Sequence, residues 1–573
     1  MVSGTLWKLS RQKGGMRTMN SKGETLRGLH LRGGYLSLRK MTAPLSAPTT
    51  HAPHRIRWWP AGTILTLATT AITIVRWRDD LAFQQRNLTT TGILLGTVAV
   101  LLIWWTVFSR ARLRLRLGVT LGGLATLALG VSVFRIRGVS GDLVPIWEFR
   151  WANPGRAVAA VVAPVTNSAP VSVALGDRPD FPQFLGRDRT AVLLGPKLDA
   201  DWAAHPPQPL WRIKVGLGWS GFVVVGNRAL TQEQEGGQER VTCYDVNDGR
   251  LLWSHHDTTR YGNPIGGVGP RATPTVVGSQ VFTLGSTGRL NALDLATGKL
   301  LWTRDLVVET GASIPEWGYA GSPLLLDGRV IVSAGGKANQ SLVAYRADTG
   351  ERVWAAGQAE AGYGSPFVTT LAGRRQILAY NHRRITAHDA ADGAVLWEYP
   401  WGVGYPHVAV PVVVGGDRVV FSAGYGVGSE LLEIKSGADG RFVADRVWRS
   451  LKLKAKFANP VAREGFLYGL DDGIFACLDL KDGGSQWKEG RYGHGQGLLI
   501  GDLFLLMSEG GELVLLRPTP TGPGELHRFR VFAEKTWNPI ALAGDLLIVR
   551  NDQEAVALRV KLASGSVVGG RSE

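Results

Sequence analysis

Three stretches near the start of the chain are apolar from end to end: residues 58–75, 91–108 and 117–134. Each is about the length a helix needs to cross a bilayer, and none contains a charged residue. None shows a polar face, which argues against buried helices of a soluble domain. Trp58, Trp59, Trp104 and Trp105 fall near span ends, where interfacial aromatics sit. Past residue 209 the pattern changes. Short runs alternate apolar and polar positions, as in Gly328-Arg329-Val330-Ile331-Val332, and glycine turns separate them.

These runs repeat. Residues 290–302 read LNALDLATGKLLW: a strand, a tight turn at Thr297-Gly298 where glycine can take a positive φ, and a return strand carrying Trp302. The pattern small-x-Asp-x-x-Thr/Asp-Gly-x-x-x-Trp recurs from Cys243 to Trp253, from Ala387 to Trp397 and from Cys477 to Trp487. Ala344 leads through Thr349-Gly350 to Trp354, and a looser copy ends at Trp448. A spacing of roughly 40 to 50 residues is that of propeller blades. Units open with a small or polar residue before proline: Thr273-Pro274, Ser322-Pro323, Ser365-Pro366, Val410-Pro411, Asn459-Pro460 and Asn538-Pro539. Ser220-Gly221 and Gln496-Gly497 hold the same place without proline. Proline as a strand's first residue costs no ladder hydrogen bond. The openings predict an all-β, eight-bladed propeller of four-stranded antiparallel blades over 209–562. Seven blades is the alternative, because the unit at 514–529 is degenerate. The last unit ends at 555–560 with no Trp, while 210–215 carries Trp211 with no motif before it. These half-units are expected to pair antiparallel and close the ring, which removes an exposed edge.

The repeat resembles the pyrroloquinoline-quinone (PQQ) type propeller repeat, whose blades end in a docking Trp. The segment FPQFLGRDRTA at 181–191, followed by Asp201-Trp202 and Pro206-Pro207, is similar to the lead-in of many bacterial members. The compact blades also resemble those of the propeller lipoprotein of the outer-membrane β-barrel assembly machine, a scaffold without cofactor. The resemblance therefore implies one of two roles: a binding or scaffolding propeller, or a PQQ-dependent membrane quinoprotein dehydrogenase of alcohols or sugars with PQQ and calcium as cofactors. Many soluble quinoprotein alcohol dehydrogenases stack PQQ between a Trp and a disulfide of adjacent cysteines, and bind calcium through Glu, Asn and Asp. This chain has no adjacent cysteines, and Asn459 and Asn538 lack an acidic partner at a recognisable spacing. Membrane-anchored sugar dehydrogenases of this superfamily share the layout of helices before a propeller and manage without the disulfide. The lipoprotein's lipidation Cys near the N-terminus is missing here. The blades are short, with little room for the insertions that build a quinoprotein active site. The binding or scaffolding role is the reading adopted, with the dehydrogenase as its alternative.

Net charge is +17, which invites a nucleic-acid partner. However, residues 1–150 hold 21 Lys and Arg against 5 Asp and Glu, and the remainder is nearly balanced. The excess lies beside the apolar spans, so it predicts membrane topology and no nucleic acid. The segment SRARLRLR at 109–116 carries four Arg and no acid, whereas 76–90 mixes Arg76, Arg78 and Arg86 with Asp79 and Asp80. Placing SRARLRLR and the basic tail inside gives three crossings of the cytoplasmic membrane and a periplasmic or extracytoplasmic propeller. The expected organisation is a basic cytoplasmic tail over 1–57, with Met1 or Met41 as the start, and three transmembrane helices over 58–137. An extended linker over 138–180, a lead-in over 181–208, the propeller over 209–562 and a Gly/Ser tail over 563–573 follow. Cys243 and Cys477 occupy the small position of blades that do not touch, so no disulfide is expected.

In such a ring the loops entering each innermost strand gather at one mouth of the channel, where binding residues concentrate. The residues there are Trp219, Arg271, Tyr319, Tyr363, His407, Lys456, His494, Lys535 and Trp537, with Ser322, Ser365, Asn459 and Asn538 as hydrogen-bonding groups. Cations among aromatics suit an anionic planar ligand or a protein partner at this face. Taken singly, each also fits a loop residue that caps a blade and contacts nothing. The acidic run Thr231-Gln232-Glu233-Gln234-Glu235 reads as an edge or hairpin segment. His255-His256 lacks further metal-ligand spacing, so no metal site is assigned, and no catalytic residue is identified.

Overall fold

The structure, a computed structural model, describes residues 56–78, 81, 83–151, 178–402 and 406–563. The expected tails at either end therefore lie almost wholly outside the described residues, as does most of the expected linker.

The first apolar stretch forms α1 (Trp59–Trp77). The second forms α2 (Phe83–Ile103), which runs on through a π-helical turn, Trp104–Phe108. The third forms α3 (Leu113–Val133). Two of the three expected spans, Phe83–Phe108 and Leu113–Val133, are long and apolar enough to cross a membrane. They expose apolar side chains nearly all round, unlike the core helices of a soluble protein. The third expected crossing, α1, falls short, because Trp59, Pro60, a series of threonines and Arg76 dilute it. Its threonines Thr63, Thr66 and Thr73 return their hydroxyls to carbonyls one turn back. α3 also starts inside the SRARLRLR segment, at Leu113. Arg116 folds back to donate to the carbonyls of Ala111 (2.8 Å) and Thr106 (3.1 Å) beside the π turn. The linker expected from residue 138 begins instead as a two-stranded hairpin, β1 (Phe134–Val139) and β2 (Pro145–Phe149), continuous with α3.

The propeller has eight four-stranded antiparallel blades. The predicted closure is present: Glu554–Arg559 pairs antiparallel with Gln208–Lys214, with Ala557 opposite Trp211. The blade assigned to the degenerate unit is complete, and Val192–Leu193 of the lead-in joins it as a fifth strand, in parallel.

The repeat motif has a mechanical explanation at each position. The small residue stands directly opposite the Trp on the next strand: Ala292 opposite Trp302, Ala344 opposite Trp354, Cys243 opposite Trp253, Cys477 opposite Trp487. Both cysteines are free and buried, and burial pushes their thiols up to about 12. The Asp caps the turn by accepting from its backbone N–H groups, as Asp294 does from Thr297. The Trp indole then reaches the neighbouring blade. Trp302 donates to the Ala347 carbonyl (2.9 Å), Trp211 to Val246 (2.8 Å) and Trp253 to Leu295 (3.0 Å).

The acidic run at 231–235 falls in a hairpin, one of the two forms expected of it, and not at an edge. It lies in the second strand of the first blade, Arg228–Glu235, and Glu233 is fully buried. Burial pushes that carboxyl up, but the Arg550 charge and hydrogen bonds from Thr242, Gly216 and Tyr244 outweigh it, so the net shift is downward. Arg550 comes from the eighth blade and donates to Thr231, to the Gln232 carbonyl and to the Gly216 carbonyl, stitching the seam where the ring closes.

The lead-in crosses the channel. Phe181 bridges Val224 of the first blade, the Pro182 carbonyl accepts from Val276 of the second, and Arg189 donates to the Ser322 and Pro323 carbonyls of the third. Ala191 accepts from Leu499 of the seventh.

Candidate binding site at the propeller mouth

The residues that open the blades form a belt of side chain to backbone hydrogen bonds around the channel. Gly221 N–H donates to Thr273 (3.1 Å), Thr273 N–H to Ser322 (2.9 Å), Ser322 N–H to Ser365 (2.9 Å) and Val410 N–H to Asn459 (2.9 Å). Asn538 donates to the carbonyls of Gly218 (3.0 Å) and Ser220 (2.9 Å). Ser322, Asn459 and Asn538, placed at the mouth as ligand groups by their sequence position, thus join blade to blade. Tyr319 is buried in the seam, its hydroxyl on the Ala334 carbonyl (2.9 Å). His407 is buried against Tyr380 and Trp401, and burial lowers its imidazole to about 4.

Seven other predicted residues do converge. Trp219, Arg271, Tyr363, Lys456 and Trp537 line one cavity of about 120 Å³. Lys535 and Trp219 line a neighbouring one of about 480 Å³. His494 lies between them and the hairpin. The Lys535 ammonium sits 3.8 Å from the Trp537 ring centroid and 4.7 Å from that of Trp219. Lys456 lies 4.4 Å from the Tyr425 centroid, and Arg271 lies 4.9 Å from that of Tyr261. Burial lowers Lys456 and Lys535 to about 8 each, and Arg271 to about 10.

What these groups hold is the chain itself. The turn of the hairpin enters the mouth. Lys535 donates to the Val139 carbonyl (3.1 Å), and Lys456 to the Gly141 carbonyl. The Gly141 N–H donates to Glu509 (2.6 Å). Asp142 faces His494 Nε2 (3.0 Å) and Arg491 (3.4 Å), and its carbonyl accepts from Asn87 of α2 (2.8 Å). Below the turn, Arg137 pairs with both Glu534 and Asp552. The hairpin turn, Glu509, Arg491, Trp317 and Tyr425 were not among the sequence candidates. The one sequence signal was Gly141-Asp142 shortly after the third apolar span.

The seated turn works against PQQ with calcium in the central cavity. With the turn seated, the central cavity of about 120 Å³ is well under the several hundred Å³ a drug-sized ligand needs. No carboxylate lines it. Glu509 is engaged by Gly141, His494 N–H and Trp537, and the acids of the larger cavity, Glu534 and Asp552, both pair with Arg137. Among the described residues no cluster of His, Cys, Asp and Glu could hold a metal ion.

The fold is an eight-bladed β-propeller that follows apolar helices. The family described as outer membrane protein assembly factor BamB matches residues 208–489. The structure is similar to BamB from Moraxella catarrhalis at 16% identity, covering 62% of this chain and 98% of that one with a TM-score of 0.44. It is similar to a europium-containing methanol dehydrogenase at 12% identity, covering 66% and 98% with a TM-score of 0.50. It is similar as well to the quinohemoprotein alcohol dehydrogenase from Comamonas testosteroni at 13% identity, covering 69% and 81% with a TM-score of 0.49. At these identities the likeness is one of fold. No curated protein matches the chain by sequence.

Proposed function

We propose that the chain is a membrane-anchored, non-catalytic binding propeller that engages a protein partner on the outer side of the cytoplasmic membrane. α2 and α3 cross the bilayer, α1 makes a third, less apolar crossing, and the propeller mouth faces the membrane. The observation that carries this reading is the use of the mouth's cations. Lys456, Lys535 and His494 would be the groups to hold an anionic planar cofactor, and they are engaged by residues 139–142 of the chain itself. The family match to an assembly factor supports a protein partner. The test is direct. The purified protein, incubated with PQQ and calcium and then desalted, is expected to retain no stoichiometric quinone absorbance and to oxidise neither alcohols nor sugars with an artificial electron acceptor. Retained quinone together with turnover would overturn this reading in favour of the dehydrogenase.

A further inference from the structure

The contacts that hold the hairpin turn are of one kind. Two lysines hold backbone carbonyls, one carboxylate holds a backbone N–H, and a single side chain, Asp142, is bound by His494 and Arg491. Such a set reads polypeptide backbone and asks for specific residues at two positions only. The residue at 141 must be glycine. A Cβ there would lie 2.1 Å from His494 Cδ2, and His494 is too buried and too well bound to move aside. The residue at 142 must be an acid, to meet the imidazole and the guanidinium.

The resident occupant fits imperfectly. Leu143 is held at φ +59°, a left-handed conformation that costs a branched side chain energy and that Gly or Asn adopts easily. Gln496 Oε1 and Trp317 Nε1 belong to cavity-lining residues and are buried without a hydrogen-bond partner. The cavity beside the turn is left unfilled. The hairpin has only two strands, a form with little stability of its own away from the propeller. A turn that relieved Leu143 and used the open groups would be held better.

From this we infer that the propeller mouth is a receptor for a glycine–acid turn of polypeptide, and that a partner protein presenting such a turn displaces the chain's own residues 140–143. The inference rests on the binding reading above and names the ligand class. The chain's own turn then acts as a tethered competitor. It keeps the mouth closed to weak ligands and yields to a partner turn with Gly or Asn at the fourth position.

The experiment uses the full chain in detergent or nanodiscs and a fluorescein-labelled peptide of residues 134–149 carrying Leu143→Gly. Gly141→Ala in the protein expels the tethered turn by the clash with His494. That variant is expected to bind the peptide saturably. The wild type should bind it at least ten-fold more weakly, because the tethered turn is present at high effective concentration. Asp142→Asn in the peptide should weaken binding at least ten-fold. Should Gly141→Ala fail to fold, Asp142→Lys in the protein opens the mouth by charge instead. A folded, opened variant that binds no peptide, or binds the Asn peptide equally well, overturns the receptor. Retention of PQQ with turnover by the same opened variant would overturn the non-catalytic reading itself, so the two failures are told apart.

Discussion

At the scale of single residues, the Trp–Gly contact is what makes the repeat hold. The face of Trp302 lies on Gly350 of the next blade, so that a Cβ there would sit 2.6 Å from the ring, and Gly350 also needs φ +69°. No other residue meets both demands. The same contact joins Trp253 to Gly298, Trp354 to Gly393 and Trp448 to Gly483. The Trp354 indole N–H, however, finds no partner, and Trp397 donates to Gln376 of its own blade. Trp302→Ala removes a buried ring and a hydrogen bond, and should cost about 3–5 kcal/mol. Trp354→Ala should cost less, since no indole hydrogen bond is lost. Chemical denaturation of the two variants checks this. An unchanged midpoint for Trp302→Ala would mean that the seam contributes nothing to stability.

At the scale of elements, the hairpin's docking is tied to the charge on two lysines. Lys456 and Lys535 are held at about 8, mainly by burial, against an ordinary value of 10.5. Between about 8 and 10.5 the unfolded chain binds more protons than the folded one, so the folded state gains stability as pH rises through that window. The neutral amine still donates to the Gly141 or Val139 carbonyl, so the contact survives deprotonation. Comparing the wild type with Lys456→Met removes the titration of buried tyrosines common to both. The wild type should gain on the variant by up to about 3 kcal/mol between pH 8 and 10.5. A difference in melting temperature that stays flat across that range would overturn the assignment. The blades were legible in sequence because the motif recurs and each position has a local cause. The hairpin was not, because its partners Lys456, His494, Glu509 and Lys535 lie more than three hundred residues away. The run around Glu233 was read as an edge or hairpin segment, and the hairpin holds; the burial of Glu233 went unseen for the same reason, because Arg550, which neutralises it, is at the far end of the chain. Seven of the mouth candidates converge, but residue type alone could not separate those from Asn459 and Asn538, which staple blades.

At the scale of the whole molecule, the contacts between helices and propeller bear on topology independently of charge. The start of α2 meets the propeller, where Gln84 donates to Asp472 (3.3 Å) and Arg491 lies 5.1 Å from the Phe83 ring centroid. The end of α3 runs into the docked hairpin. Both ends therefore lie on the propeller side, and the connection between α2 and α3 with the start of α3, carrying Arg110, Arg112, Arg114 and Arg116, lies on the other. Trp58, just before α1, packs 5.9 Å from Trp104 near that far side, and Arg76 at the end of α1 meets Asn87 on the near side. α1 thus runs alongside α2 from the far side to the near side, which is why a third crossing is proposed despite its polar residues. The cluster of four Arg is expected to face the cytoplasm, and on that expectation the propeller lies outside. A reporter active only in the cytoplasm should be silent when fused after Glu573 and active when fused between Arg110 and Arg112. The arginine cluster lies at one end of α3 and the connection before it, so Arg→Glu at positions 110, 112, 114 and 116 together should weaken or invert this orientation. Cytoplasmic activity of the fusion after Glu573 in the wild-type chain would overturn the three-crossing arrangement and put the mouth, with its docked hairpin, on the cytoplasmic side.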